Sequence, residues 1–299
     1  MKLPKLRWFT VATGLLLVLL IGYFAIGVYM AENLTLPKRS VPPPQAETLP
    51  VQDNVTVTAR DGLRLAGTFM PAAGSQRALI MLHGLDQCRG CELYGKFPAI
   101  AGQLNRAGYN VLLIDLRGHG ESPDSRVTFG DTERWDVLGA LDWLHQHAFT
   151  QVGVLGVSLG AVVTVRTGLE PDGAQGIKAM VLDSCFGDFG DVLAHDFTRD
   201  TGYPSFLLPG GLLLTRLLYG VDMEHVRPIA ELPRIKTPVL MIYGDHDRYV
   251  TTAQQKAMIA AKPDAEVWIA SGPDHASIHQ MYPDEYMARV MNFLKRTLG

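Results

Sequence analysis

The chain has 299 residues, 47% of them hydrophobic, enough for one large buried core and an appendage. A formal net charge of -3 with 19% charged residues provides neither the basic footprint of a nucleic-acid binder nor an acidic tail, which leaves a small or amphiphilic molecule as the expected partner. Three cysteines are too few for a disulfide-built scaffold, and there is no internal repeat or long low-complexity run.

Residues 8–31 contain no charged side chain and centre on the apolar stretch from Leu15 to Ile21. As a helix they would be roughly 36 Å long, against about 30 Å for a hydrocarbon core. Lys2, Lys5 and Arg7 precede the run, and only Glu32 follows closely before Lys38 and Arg39, so the positive-inside bias puts the amino terminus inside. Trp8 and Phe9 at one end and Tyr23 and Tyr29 at the other stand where interfacial aromatics sit. Residues 1–31 are therefore expected to form a single transmembrane anchor with the remaining chain outside the cytoplasm. A cleaved signal peptide is the alternative, disfavoured by the length of the run and the lack of a clear A-x-A site. Residues 32–50, including Val41-Pro42-Pro43-Pro44-Gln45, read as a stiff extended spacer that lifts residues 51–299 off the bilayer.

Beyond the spacer, alternating runs at 55–58 and 63–69 flank Asp61-Gly62 and predict an antiparallel hairpin at a sheet edge. The continuous apolar run 78–82 predicts a strand buried on both faces, ending at His83-Gly84-Leu85. Helical spacing over 94–107 closes at Gly108, strand 111–114 follows, and 131–148 predicts an amphipathic helix capped by Asp131 or Thr132. Further buried strands are expected at 152–155, 179–182, 238–243 and 267–269, with a closing helix at 285–297. Alternation of strands and helices predicts a mainly parallel sheet covered on both faces, with ligands at the carboxyl ends of its strands. Residues 186–237 interrupt this rhythm and read as a small helical cap, an ordinary helical crossover being the alternative.

Gly156-Val157-Ser158-Leu159-Gly160 fits the nucleophile elbow, a strand-to-helix turn so tight that side chains at the glycines would collide with their neighbours. A serine hydroxyl needs an imidazole to take its proton, a carboxylate to orient that imidazole, and N–H donors for the developing oxyanion. With His83-Gly84, Asp115-Leu116-Arg117-Gly118-His119-Gly120-Glu121-Ser122, Gly244-Asp245-His246-Asp247 and Gly272-Pro273-Asp274-His275 in the same order, the chain from about residue 54 onward resembles the α/β-hydrolase superfamily. Within it, the chain is similar to membrane-anchored single-domain members of serine-esterase type.

The resemblance implies an α/β-hydrolase fold with a small cap, Ser158 as nucleophile, His275 as base and Asp247 as acid, with Asp245 and Asp183 as alternative acids. It also implies an oxyanion hole from the backbone N–H groups of Leu85 and Leu159, with no metal or organic cofactor. His83 and His119 are assigned structural roles and His279 a surface or supporting one. The implied activity is hydrolysis of carboxylic esters, acyl or lipid-like, through an acyl-enzyme. Thioester, amide or peptide cleavage on the same fold, or binding without turnover, are the alternatives. Cys88 and Cys91 are either a local disulfide stiffening the oxyanion loop or two free thiols, and Cys185 reads as a small buried hydrophobe.

Overall fold

The computed structural model describes residues 4–44 and 48–299, with side chains described from Trp8 onward apart from 45–47. Lys2 and Gln45, both used above, lie outside the described residues, as do the side chains of Lys5 and Arg7. Eight strands form one sheet: β1 (Asp53–Thr58), β2 (Arg64–Met70), β3 (Arg77–Leu82), β4 (Asn110–Ile114), β5 (Gln151–Val157), β6 (Ile177–Asp183), β7 (Val239–Gly244) and β8 (Glu266–Ala270). Their spatial order is β1-β2-β4-β3-β5-β6-β7-β8. β2 pairs antiparallel with β1 and β4, and every other pair is parallel. The hairpin turns at Asp61-Gly62, where Gly62 adopts φ +92°.

Numbering only helices of eight residues or more, the chain has α1 (Pro4–Thr35), α2 (Phe97–Arg106), α3 (Glu133–Gln146), α4 (Leu159–Leu169), α5 (Phe189–Thr201), α6 (Leu208–Tyr219), α7 (Thr252–Ala261) and α8 (Pro283–Leu298). The strands are apolar at successive positions because both faces of the sheet are covered. On one face, Val137, Leu138 and Leu141 of α3 and Val162 and Val165 of α4 pack on Ile80, Leu112 and Val154. On the other, Phe97, Ile100 and Leu104 of α2 and Tyr286, Val290 and Phe293 of α8 pack on Leu79, Val111 and Leu155. Each such fully buried side chain contributes about 1.5–3 kcal/mol.

Three expectations are corrected. The stretch read as a spacer does not stand free: the Lys38 N–H donates to Asp86 Oδ1 at 2.7 Å, Arg39 bonds the Ser122 carbonyl at 2.8 Å, and Pro42 and Pro43 lie against Gly90 and Gly95. The helix expected over 94–107 starts only at Phe97, because Leu93 and Tyr94 have positive φ and break the preceding turn at 92–95. Neither Asp131 nor Thr132 caps α3. The Glu133 side chain instead folds back on the preceding loop, accepting the N–H groups of Thr128 and Gly130, each at 2.8 Å. Residues 186–237 fold as α5, α6 and short helical turns.

Gly139 in mid-α3 marks a close approach to the hairpin, since a Cβ there would lie 2.3 Å from the Thr58 carbonyl oxygen and 2.7 Å from Ala59 Cα. Gly to Ala inside a helix ordinarily stabilises by about 0.5–1 kcal/mol. Here the sign should reverse: Gly139→Ala is expected to lower unfolding stability by about 1–3 kcal/mol in urea titration, as overpacking does. A stabilised variant would show that the helix can move off the hairpin freely.

Candidate active site

The carboxyl end of β5 runs directly into α4, and Ser158 occupies the corner with φ +51° and ψ -112°. A Cβ on Gly156 would lie 2.3 Å from the Gly160 carbonyl oxygen, and one on Gly160 would lie 2.5 Å from that of Leu82. Both glycines therefore exist for space, whereas the serine carries the strained backbone. Its N–H donates to the Asp183 carbonyl at 2.8 Å, which ties the corner to the end of β6.

Ser158 Oγ lies 2.9 Å from His275 Nε2, and His275 Nδ1 lies 2.8 Å from Asp247 Oδ2. A carboxylate can only accept, so Nδ1 carries the proton and Nε2 is left to accept the serine O–H. Asp247 Oδ1 accepts the N–H groups of Tyr249 and Val250 at 2.9 and 2.8 Å, holding the carboxylate with one oxygen towards the ring. The buried Gln255 amide brackets the same turn by donating to the Gly244 and Val250 carbonyls, both at 2.8 Å. Gly244 lets the two loops meet, because a Cβ there would be 2.1 Å from the Pro273 carbonyl oxygen.

Neither alternative acid reaches the imidazole. Asp245 turns outward to His246, Ser271 and the Gly272 N–H. Asp183 lies fully buried beneath the site, accepting from Ser184 Oγ and Tyr286 Oη, each at 2.9 Å. Burial pushes the Asp183 carboxyl up to about 7 even though those two donors oppose it. His275 is subject to the reverse balance. Burial alone would lower its pKa, but the hydrogen bond and charge of Asp247, with the Asp183 and Glu92 carboxylates behind, leave it raised above the usual imidazole value.

On the facing loop, His83 is fully buried and pushed down to about 3, chiefly by burial and then by the neighbouring His119. Its Nε2 accepts the Leu116 N–H at 3.0 Å, so Nδ1 holds the proton and donates to the Gly84 carbonyl at 2.7 Å. The His119 ring lies tilted against it with centroids 4.9 Å apart, its Nδ1 2.9 Å from the Arg117 carbonyl. The N–H groups of Leu85 and Leu159 donate to no acceptor among the described residues; Leu159 opens α4 directly after Ser158, and Leu85 follows Gly84 on the loop after β3.

Several contributors escaped the sequence reading. Glu92, only 3% exposed, accepts the N–H of Gly84 and, at 2.8 Å, that of Leu93. Burial raises its pKa. Gly84 is sandwiched between this carboxylate and the serine: a Cβ there would sit 3.1 Å from Glu92 Oε2 and 3.3 Å from Ser158 Cβ. Ser184 Oγ accepts the Ala276 N–H at 3.1 Å, and Asp274 accepts the N–H groups of His275 and Arg248 at 2.7 and 3.0 Å, so the histidine loop is pinned on both sides. Asp274 stands inside the quoted Gly272-Pro273-Asp274-His275 motif but received no role there; no local signal marks Glu92 or Ser184. Cys88 and Cys91 form a disulfide, closing the loop just ahead of Glu92, and Cys185 is buried with a free thiol. The Arg89 N–H inside that loop is held by Asp115 Oδ1 at 2.7 Å. His279 is buried against the edge of Tyr286, not at the surface. Among the described residues no cluster of three or more His, Cys, Asp or Glu side chains could hold a metal. A cavity of about 440 Å³ under residues 39–43, lined by Met70, Arg89 and Leu113, lies on the β2 side and does not include Ser158.

The sheet order and the placement of these groups at strand ends define an α/β-hydrolase fold. A family model described as serine aminopeptidase, S33, matches residues 74–198. The chain is 29% identical to the uncharacterised protein YqkD of Bacillus subtilis over 195 residues, 62% of each chain. It is 24% identical to human monoglyceride lipase over 286 residues, covering 83% of this chain and 91% of the lipase. The solved Pyrococcus furiosus esterase Pf2001 superposes with a TM-score of 0.72 at 27% identity, over 89% of this chain and 99% of the esterase. The chain belongs to the α/β-hydrolase superfamily.

The Asp183 carboxyl carries a pH signature. Its folded pKa of about 7 exceeds the ordinary 3.8, so the folded state holds the extra proton between those values. This contribution to stability is complete below about pH 4 and is lost as pH rises towards 7. Unfolding free energy measured from pH 4 to 7 should fall for the wild-type chain relative to Asp183→Asn. Parallel profiles would mean that Asp183 is ionised throughout.

Proposed function

We propose that this protein is a serine hydrolase that cleaves carboxylic esters, acyl or lipid-like, through an acyl-enzyme. The observation that carries the reading is the continuous chain from Ser158 Oγ through His275 to Asp247, at 2.9 and 2.8 Å, on a strained elbow. Ser158 Oγ attacks the ester carbonyl as His275 Nε2 takes its proton. The oxyanion is met by the N–H groups of Leu85 and Leu159. Collapse expels the alcohol with the proton from His275. Water then attacks the acyl-serine, giving its proton to His275, and the acid leaves as Ser158 recovers its own.

The similarity to an esterase and to a monoglyceride lipase favours esters, as does the apolar character of α6. A second reading, cleavage of an amide or peptide, is favoured by the description of the matching family model. A panel of p-nitrophenyl esters and aminoacyl p-nitroanilides separates the two. We further propose that α1 is a single-pass anchor and that the domain lies outside the cytoplasm, where a disulfide such as Cys88–Cys91 persists.

Ser158→Ala should cut p-nitrophenyl ester turnover by about 10⁵-fold or more and abolish labelling by a fluorophosphonate. Near-wild-type turnover would refute the mechanism. The base must be neutral, so kcat/KM should fall as pH drops through the raised His275 pKa. Removing the Asp247 charge lowers that pKa, so Asp247→Asn should move the acid limb to lower pH while reducing kcat on the order of 10³- to 10⁴-fold. An unmoved limb would mean that Asp247 does not control the imidazole.

A further inference from the structure

The apolar stretch of α1, Trp8–Thr35, has 28 residues. At 1.5 Å per residue it is about 42 Å long, roughly 12 Å more than a hydrocarbon core needs. Its carboxyl-terminal part is where the globular domain attaches. Tyr23 packs on Gly210, Gly27 meets Leu214, and Glu32 accepts a hydrogen bond from Tyr219 Oη. The spacing between partners is constant along the chain, so α1 and α6 lie side by side and run in the same direction. Gly27 and Gly210 allow the approach: a Cβ on the first would be 2.6 Å from Leu214 Cδ1, and one on the second 2.4 Å from Tyr23 Oη. Two adjacent glycines, Gly210 and Gly211, in a helix that short cost about 1 kcal/mol each, and this contact accounts for them.

The register sets depth. The first half of α6 lies level with residues 21–27 of α1, within the length a bilayer core would take up. Just ahead of it, Phe206 projects further towards the middle of the span. On the sides turned away from the domain, Phe206 is 68% exposed, Leu213 54%, Leu217 68% and Leu218 50%, beside exposed Phe24, Val28 and Tyr29 of α1. These form one apolar face across two helices. The polar boundary falls at the carboxyl end of both: Arg126 pairs with Glu32 at 2.9 Å, stacks on the Tyr219 ring at 3.5 Å and reaches Thr35 Oγ1 at 2.8 Å. Charge is tolerated at that level and not in hydrocarbon.

We propose that α6 is a second membrane element, seated with Phe206 in the outer leaflet of a lipid bilayer alongside α1. The inference rests on reading α1 as a membrane span, and it is independent of the chemistry at Ser158. The last turn of α5, which leads into Phe206, also borders the site: Arg199 lies over the Tyr249 ring at 5.0 Å and Tyr249 sets its ring against His275 at 5.1 Å. The cap thereby holds the rim of the serine site at headgroup height, where the ester linkages of amphiphilic substrates lie.

The test uses the full chain in phosphatidylcholine vesicles with single cysteines labelled with nitrobenzoxadiazole at Leu16, Phe206, Leu217 and Lys178. Cys185 is buried and Cys88 and Cys91 are paired, so the introduced thiol takes the label without reductant. Lys178, exposed at the start of β6, reports the end of the sheet opposite the site. Phosphatidylcholine brominated in its acyl chains should quench labels at 16, 206 and 217, with blue-shifted emission, and leave 178 unchanged. Quenching at 16 with 206 and 217 behaving like 178 would overturn the proposal while sparing the anchor. An unquenched label at 16 would overturn both. Fluorophosphonate labelling of the same vesicles reads the hydrolase assignment separately.

Discussion

The constraint on which the rest of the site depends is the corner at Ser158, where three backbones pass within contact distance. Gly160 is pressed against the end of β3 and Gly156 against the start of α4, with no room for a Cβ at either. The serine between them is driven to φ +51°, a conformation that costs on the order of 1–3 kcal/mol for a non-glycine residue. That strain persists because burial of α4 against the sheet and the bond from the Ser158 N–H to Asp183 overdetermine it. Once the corner is set, Ser158 faces the carboxyl ends of β3, β7 and β8, where the loops carrying Leu85, Asp247 and His275 arrive.

Around the corner the protein uses buried polar groups to fix backbone. Neutral His83 and the Glu92 carboxylate engage the carbonyl and the N–H of Gly84, so the peptide units around it have one orientation and the next N–H, that of Leu85, is left without an acceptor among the described residues. The disulfide and the Arg89–Asp115 pair hold the loop that delivers Glu92. Such groups add little net stability, since desolvation offsets much of the pairing, but a buried partner left unsatisfied costs about 1–3 kcal/mol. Their effect is therefore on geometry. The same carboxylates also set the field on His275: Asp247 contributes most to holding its proton, while Asp183 and Glu92 add charge from behind.

The amino-terminal helix divides into an exposed part and a part packed on the domain. Over its first part every described side chain is exposed. Further on, Gly27, Met30, Ala31 and Thr35 are buried against the domain, and residues 36–43 continue along the domain surface by hydrogen bonds to Asp86 and Ser122. The helix and the globular part thus form a continuous contact through α6. A tether reading, natural for a proline-rich stretch, misses this because proline stiffness is local while the partners of Arg39 and Pro43 lie some fifty to eighty residues away.

What the sequence by itself determined is what local rules encode. Two alternating runs and six continuous apolar ones located the eight strands, their alternation with helical spacing defined the architecture, and the glycines of the elbow marked Ser158. Position after β7 and β8 drew attention to Asp247 and His275. Tertiary structure alone decided which carboxylate meets the imidazole, because Asp245 and Asp247 are two residues apart yet turn to opposite sides of their loop. It also decided that Cys88 and Cys91 are joined, that Glu133 turns back to hold the loop before α3, and that Glu92 and Ser184 brace the site. In each case the deciding quantity is a direction in space or the burial of a charge. Both arise when distant segments pack together, and neither has a period or a spacing that a single strand of text can carry.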